Sequence, residues 1–114
     1  MKLFSEAKLL RIFIGENDRY EGRPLYQVIV ERARQHDLAG ATVLRGNLGF
    51  GANSRIHTAR ILRLSEDLPM VIEIVDEPER IQNFVVVLDG LIKEGLVTLE
   101  KIEVIIYRHN DHEE

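Results

Sequence analysis

The apolar positions of the chain follow the two-residue period of a β-strand in four places. In the clearest of them, Met70, Ile72 and Ile74 share one face and alternate with a second set of side chains. Turn residues such as those of 15–18 separate the strands from the next elements of the chain. The predicted strands cover residues 9–14, 41–48, 68–75 and 97–108.

Two further stretches follow the 3.6-residue period of a helix. The first covers residues 24–38, with Pro24 at the first helical position and Gly40 as a left-handed cap after its end. The second covers residues 77–93, with Asp76 as its N-cap. The apolar stripe of the second helix consists of Ile81, Phe84, Val85, Leu88, Leu91 and Ile92.

The predicted order of elements is β-α-β-β-α-β. This order is typical of the α+β ferredoxin-like sandwich, in which an antiparallel sheet carries two helices on one face. With 114 residues and 45% hydrophobic content, the chain is long enough for one domain with a core of its own. The sequence therefore predicts a single domain over residues 1–114.

The sheet face away from the helices is also predicted to be apolar. If Ile12, Ile72 and Val104 face the helices, the alternate positions face the other way. Such a face is unusual on a monomer, so we expect a second copy of the chain to cover it. Arg11 and Glu73 share this face and are predicted to form an ion pair within or between subunits. The outward positions are Leu9, Phe13, Val71, Val75, Ile105 and Tyr107.

Composition narrows the classes of function. The chain has no Cys, which excludes disulfides and thiolate metal sites. Its net charge of −4 argues against a general nucleic-acid binder. No apolar run approaches the ~20 residues of a membrane span, and Glu6, Lys8 and Arg11 interrupt any signal-peptide core. We expect a cytoplasmic protein that neither binds nucleic acid nor inserts into a membrane.

A glycine-rich run, Gly46–Gly51, is the first candidate site. Glycines let backbone N–H groups approach a ligand closely, and successive N–H groups can form a concave anion site. Arg45 and Arg55 flank the run and could neutralise a phosphate. The alternative is a bulged strand end, which would use the same glycines without a ligand.

The following segment, residues 52–67, is the second candidate. It is polar and long, and it carries Arg55, Arg60 and Arg63 in an otherwise acidic chain. Long segments of this kind in compact domains are usually functional or disordered. The basic charge suits an anionic ligand or an acidic partner, and a solvated loop is the alternative.

Catalytic and metal-binding patterns are weak. No Ser/His/Asp set and no paired carboxylates have a spacing that indicates catalysis, so we expect a protein that is not an enzyme. His109 and His112 lie in a polar tail, and His57 stands alone in the segment 52–67. Two alternatives stay open: a metal-ion-binding trimeric protein, and a small ferredoxin-like enzyme with a pocket on the helix-free sheet face.

The block of residues 40–81, together with GLVTLEKIEVIIYR near the end of the chain, resembles the PII-like signalling proteins. It is most similar to their uncharacterised branch, the domain of unknown function one hundred and ninety. The similarity covers nearly the whole chain. It is carried by Gly40-Ala41-Thr42-Val43, by Gly49-Phe50-Gly51, and by Leu68-Pro69 leading to Ile72-Glu73-Ile74-Val75.

The resemblance implies a homotrimer that binds an adenine nucleotide (AMP, ADP or ATP) in the clefts between subunits. Residues 52–67 would be the T-loop, which docks a partner protein such as a membrane transporter or channel. Arg108, at the end of the last strand, would approach from a neighbouring subunit. With the two flanking arginines, the expected ligand-binding residues are Thr42, Arg45, Gly49, Phe50, Gly51, Arg55, Glu73 and Arg108.

The sequence departs from PII proteins proper in two places. Those proteins hold phosphates with a Gly-rich, Lys-bearing loop after the second helix, whereas this chain has only Lys93-Glu94-Gly95-Leu96 there. The expected ligand is therefore a mono- or diphosphate in preference to a triphosphate. Residues 52–67 also contain no Tyr, so nucleotidylation of a loop tyrosine is not expected.

Overall fold

The computed structural model of the chain describes residues 6–49 and 67–109. Within them, two α-helices pack on one face of a four-stranded sheet, and a short two-stranded hairpin precedes the first helix. The elements are β1 (Glu6–Gly15), β2 (Arg19–Tyr20), β3 (Arg23–Pro24), α1 (Leu25–Gln35), β4 (Thr42–Arg45), β5 (Pro69–Asp76), α2 (Pro78–Asp89) and β6 (Leu96–Glu103).

The sheet has the strand order β4-β5-β1-β6, and every neighbouring pair is antiparallel. Apart from the β2–β3 hairpin, the elements follow one another as β-α-β-β-α-β. This arrangement confirms the predicted α+β ferredoxin-like fold. The β2–β3 hairpin was not predicted, because each of its strands has only two residues and so shows no period.

The core lies between the helices and one face of the sheet. Leu10, Ile12, Ile72 and Ile74, which are alternate residues of the two central strands, are at most 1% exposed. Of the predicted α2 stripe, four residues are buried, while Val85 and Ile92 are partly buried against the same core. The helical side of the core is formed by Leu25, Val28, Ile29, Ala33, Ile81, Phe84, Leu88 and Leu91.

The boundaries of α1 differ from the prediction at both ends. Pro24 pairs with Arg19 in the β2–β3 hairpin and is the N-cap residue, so the helix begins at Leu25. The helix ends at Gln35, and the left-handed residue after it is Asp37 (φ +60°), whereas Gly40 was expected there. The Leu38 N–H then donates to the Ala33 carbonyl at 3.1 Å, which closes the end of the helix.

Asp76 does not cap α2 as predicted. The N-cap residue is Glu77, and no side chain caps the helix there. Asp76 is the last residue of β5 and is only 4% exposed. Its Oδ2 accepts a hydrogen bond from Ala39 N at 2.9 Å, and its Oδ1 accepts one from Glu77 N at 2.7 Å. This carboxylate therefore joins the α1–β4 connection to the start of α2.

The C-terminal elements are shorter than predicted. Helix α2 ends at Asp89, where residues up to 93 were expected, and β6 ends at Glu103, where residues up to 108 were expected. Gly95, the last residue before β6, has φ +150°, and a Cβ there would lie 2.8 Å from the Phe13 carbonyl oxygen. Only glycine fits this close approach.

None of the helices within 6–49 and 67–109 is long and apolar enough to cross a membrane.

The stability of the fold should depend on the α2 stripe. We expect Phe84→Ala to lower the free energy of unfolding by about 3–5 kcal/mol, because the ring is 1% exposed and its removal leaves a cavity. Gln82→Ala, on the exposed side of the same helix, should change it by less than about 0.5 kcal/mol. Urea denaturation at one fixed protein concentration compares the two variants, and equal midpoints would contradict the assigned core.

A second test concerns the ion pair between Arg23 and Glu31, whose two contacts measure 2.9 and 2.6 Å. Hydrogen bonds from Arg23 lower the pKa of Glu31, an effect that desolvation opposes. Because the folded-state pKa is lowered, the pair stabilises the fold above the unfolded Glu pKa of about 4.3. That stability is lost as the pH falls through the folded-state pKa. Urea midpoints of Glu31→Gln and wild type should differ at pH 7 and converge in acid, and a difference independent of pH would contradict the assignment.

Candidate functional site

A polar row crosses the sheet on its open face, which is the face away from the helices. Strand pairing places Thr42 beside Glu73, Glu73 beside Arg11, and Arg11 beside Thr98. Directly opposed residues of antiparallel strands point to the same side of the sheet. Thr42 and Glu73, two of the expected ligand-binding residues, are therefore neighbours on this face.

The centre of the polar row is an ion pair. Arg11 Nε donates to Glu73 Oε2 at 2.9 Å, and Arg11 Nη1 lies 3.7 Å from Glu100 Oε1. The Arg11 and Glu73 side chains are 34% and 32% exposed. This confirms the predicted pair and places it within one subunit. Both charges have partners before any second copy covers them, which lowers the cost of burying them.

Apolar residues flank the polar row on both sides. One apolar row lies on the side of the polar row that is nearer the end of β4, and it spans all four strands. Its outer members, Leu44 and Leu96, are 50% and 56% exposed. On the other side, Leu9 lies opposite Val75. The apolar character predicted for the open face is thus confirmed on β1 and β5. The residues predicted to extend it, Ile105 and Tyr107, lie beyond the end of β6. The apolar row consists of Leu44, Val71, Phe13 and Leu96.

The end of β4 carries the expected ligand residue Arg45. Its Nη2 lies 2.7 Å from Glu16 Oε2, and the two side chains are 57% and 22% exposed. The sequence shows Glu16 only as a residue of the turn after the first strand. No local pattern could identify it as the partner of Arg45, because the contact joins two strand ends that are distant in the chain.

Two glycines of the run after β4 have a packing role. A Cβ at Gly46 would lie 2.7 Å from Pro69 Cγ, and one at Gly49 would lie 3.0 Å from the same atom. The Gly46 N–H donates to the Pro69 carbonyl at 2.7 Å, so this group is already engaged. These contacts explain the two glycines by packing alone. This agrees with the alternative interpretation of the run, in which the glycines need no ligand. Anion binding by the other backbone groups stays a prediction.

The turn between β1 and β2, residues 15–18, is bonded to the chain that enters β5. The Glu16 N–H donates to the Leu68 carbonyl at 2.8 Å, and the Asn17 N–H donates to Asp67 Oδ1 at 3.0 Å. Asp67 follows residues 50–66 in the chain, and Gly49 precedes them. Arg45, the turn and both flanks of residues 50–66 therefore meet at one end of the sheet.

A shallow cavity of about 340 Å³ lies on the helix side, between α1 and the connection to β4. Its volume is at the lower limit for small-molecule pockets. Among the described lining residues Arg34 carries the charge, and the bond from Ala39 N to Asp76 holds the rim of the cavity. Thr42 directly follows the lining residue Ala41 in the chain, but it lies on the open face, on the other side of the sheet from the cavity. The lining residues are Val30, Ala33, Arg34, Leu38, Ala39, Gly40 and Ala41.

The expected site residues that the structure describes fall into three groups. Thr42 and Glu73 are paired on the open face, whereas Arg45 and Gly49 lie at the end of β4. Arg108 is exposed and follows the end of β6. Phe50, Gly51 and Arg55, with the predicted T-loop up to residue 66, lie outside the described residues.

Side chains that could bind a metal do not cluster in the described part of the chain. Within 6–49 and 67–109, no group of three or more His, Cys, Asp or Glu side chains could hold a metal ion. The His36 ring packs edge-on against Phe84, with 6.0 Å between the ring centroids. His57 and His112, which the metal alternative would need, lie outside the described residues.

Comparison with known proteins places the chain in a family. The DUF190 family model, described as "Uncharacterized ACR", matches residues 7–104. A "UPF0166 protein" of Aquifex aeolicus is 44% identical over 100 residues, which cover 88% of this chain and 94% of the relative. "UPF0166 protein MJ1524" of Methanocaldococcus jannaschii is 35% identical over 100 residues, covering 87% and 92%. A second "UPF0166 protein" of Aquifex aeolicus is 30% identical over 96 residues, covering 84% and 94%.

The matched residues include every strand of the four-stranded sheet and both helices. The fold, the length of the match and the identities all agree with the resemblance carried by residues 40–81. The chain therefore belongs to the PII-like DUF190 family.

Proposed function

We propose that the protein is a trimeric PII-like signalling protein that regulates a partner and is not itself an enzyme. In this proposal it binds an adenine nucleotide, AMP or ADP in preference to ATP, or a similar small anion in the clefts between subunits. Residues 52–67 dock the partner, for example a membrane transporter or channel. The observation that carries the proposal is the open sheet face, on which a continuous apolar row crosses all four strands.

The apolar row supports self-association. Exposed apolar patches that are contiguous and rimmed by polar groups usually mark interaction sites. The Arg11–Glu73 pair fits burial between copies, because both charged groups already have hydrogen-bonding partners. Family membership favours three copies of the chain in preference to a foreign partner on this face.

The position of β4 supports a ligand site between subunits. β4 is an edge strand that carries Thr42 on the open face and, at its end, Arg45 opposite Met70 on the helix side. When copies pack through the open face, this edge lies at the boundary between them. Arg45 presents a guanidinium that is more than half exposed, and its Nη2 contacts Glu16 Oε2. Its remaining N–H groups can donate to a phosphate, which arginine binds with two parallel hydrogen bonds.

The same end of the sheet supports a signalling role. The turn 15–18 contacts Arg45 through Glu16, and it contacts residues 67–68, just before β5, through two backbone N–H groups. An anion at Arg45 would therefore bind beside the flanks of residues 50–66. This proximity supports a role for the loop as the element that reports ligand binding to a partner.

The first test addresses assembly. We expect native mass spectrometry to show a homotrimer for the wild type. Leu96→Glu should dissociate it, because the side chain is 56% exposed in one subunit and its replacement places a charge in the apolar row. Gln82→Glu, on the exposed side of α2, introduces the same charge and should leave the trimer intact. A wild-type monomer, or a trimer that tolerates Leu96→Glu, would contradict an interface on the open face.

The second test addresses the ligand. AMP, ADP and ATP are screened by thermal shift, and binding is then measured by calorimetry. A ligand at 100 times its dissociation constant should stabilise the fold by about 2.7 kcal/mol. Arg45→Ala should weaken binding by roughly tenfold, since a hydrogen bond to a charged group contributes about 1.5 kcal/mol or more.

The control for the second test is Arg80→Ala, which removes the same charge at the opposite end of β5 and should bind the ligand as the wild type does. If none of the three nucleotides binds, nucleotide sensing is wrong. If both arginine variants bind like the wild type, Arg45 does not belong to the site.

A further inference from the structure

We infer that Glu16 competes with the anionic ligand for Arg45, and that this exchange couples ligand binding to the turn 15–18. The inference rests on the proposed function and adds a regulatory residue to its site. Because Glu16 pairs with the guanidinium, it lowers the affinity of Arg45 for an anion.

The contact between the two side chains has the form that such competition requires. Glu16 is the covered partner, at 22% exposure, and Arg45 is the accessible one, at 57%. The contact of 2.7 Å from Arg45 Nη2 to Glu16 Oε2 keeps the guanidinium at the end of β4. An anion that approaches the guanidinium from the solvent side therefore competes with the Glu16 carboxylate for it.

The other carboxylates at this end of the sheet have different partners. Asp18 Oδ2 accepts the Gly15 N–H at 3.0 Å, and Asp67 Oδ1 accepts the Asn17 N–H at 3.0 Å. Of these three acidic side chains, Glu16 alone forms an ion pair with Arg45 among the residues that the structure describes. Glu16 can thus leave Arg45 without breaking the bonds that shape the turn.

Charge repulsion at this end of the sheet opposes any anion that binds Arg45. Among the described residues, the carboxylates of Glu16, Asp18 and Asp67 lie there with the Arg45 guanidinium. An anion at Arg45 therefore meets repulsion from all three carboxylates, and direct competition for the guanidinium from Glu16 alone.

The coupling follows from the backbone of the same residue. The Glu16 N–H donates to the Leu68 carbonyl at 2.8 Å, and the next N–H, that of Asn17, donates to Asp67. A shift of Glu16 on release from Arg45 therefore acts on two hydrogen bonds to residues 67–68. These residues immediately follow 50–66, the greater part of the predicted partner-docking loop.

The test measures ADP affinity by calorimetry in wild type, Glu16→Gln, Arg45→Ala and the double variant. Glu16→Gln removes the competing charge and keeps the backbone bond to Leu68. It should tighten ADP binding about two- to fivefold, the range expected from the strength of an exposed ion pair. In the Arg45→Ala background the same substitution should have no effect, because the group in competition is gone.

Asp67→Asn is the matched control, since it removes an equal charge from the same end of the sheet but from a group that contacts a backbone N–H. Its gain in ADP affinity should be smaller than that of Glu16→Gln.

Hydrogen exchange adds a second readout. ADP should change the exchange of residues 15–18 in wild type and leave it unchanged in Glu16→Gln, although this variant binds ADP.

The outcomes separate the inference from the proposed function. If wild type binds ADP and Glu16→Gln binds equally or more weakly, the inference is wrong and the proposed function stands. An equal gain from Glu16→Gln in the Arg45→Ala background would also overturn it, because the effect would then not pass through Arg45. If no form of the protein binds AMP, ADP or ATP, both the proposed function and the inference fail.

Discussion

The pairing of the two central strands, β1 and β5, determines the rest of the structure. Their register places Ile12 opposite Ile72 on the helix side and Arg11 opposite Glu73 on the open side. A slip of one residue would turn the apolar core positions of one strand to the open face and bring a charge beneath the helices. The buried isoleucines and the paired charges therefore specify the same register from opposite sides of the sheet.

The open face follows from this register. Because side chains alternate, the residues that cannot enter the core form their own ordered surface, with a polar row centred on Arg11 between apolar residues. Edge strands on both sides extend it, through Thr42 on β4 and Thr98 on β6. The proposed function places a second copy of the chain on this surface, and this links self-association to the position of the proposed ligand site.

Packing and charge act together at the end of the sheet where β4 ends and β5 begins. Pro69 begins β5 and lies against two glycines that follow β4, which brings these segments close together. That approach sets Arg45 beside the turn after β1, where Glu16 meets it. Binding of an anion there, as proposed, would change the partner of one charged group and act on the hydrogen bonds between the turn and residues 67–68.

The sequence by itself determined the fold class, the family, the main strands and helices, and the Arg11–Glu73 pair. These follow from the period of apolar residues and from motifs that are contiguous in the chain. It erred where an element ends, as at Gln35, Asp89 and Glu103, because apolar residues continue past the point at which the chain leaves the helix or sheet. Only the tertiary structure decided the roles of Asp76 and Glu16. Their partners, Ala39 N and Arg45, are 37 and 29 residues away in the chain, and no local pattern records which strand ends meet when the sheet forms.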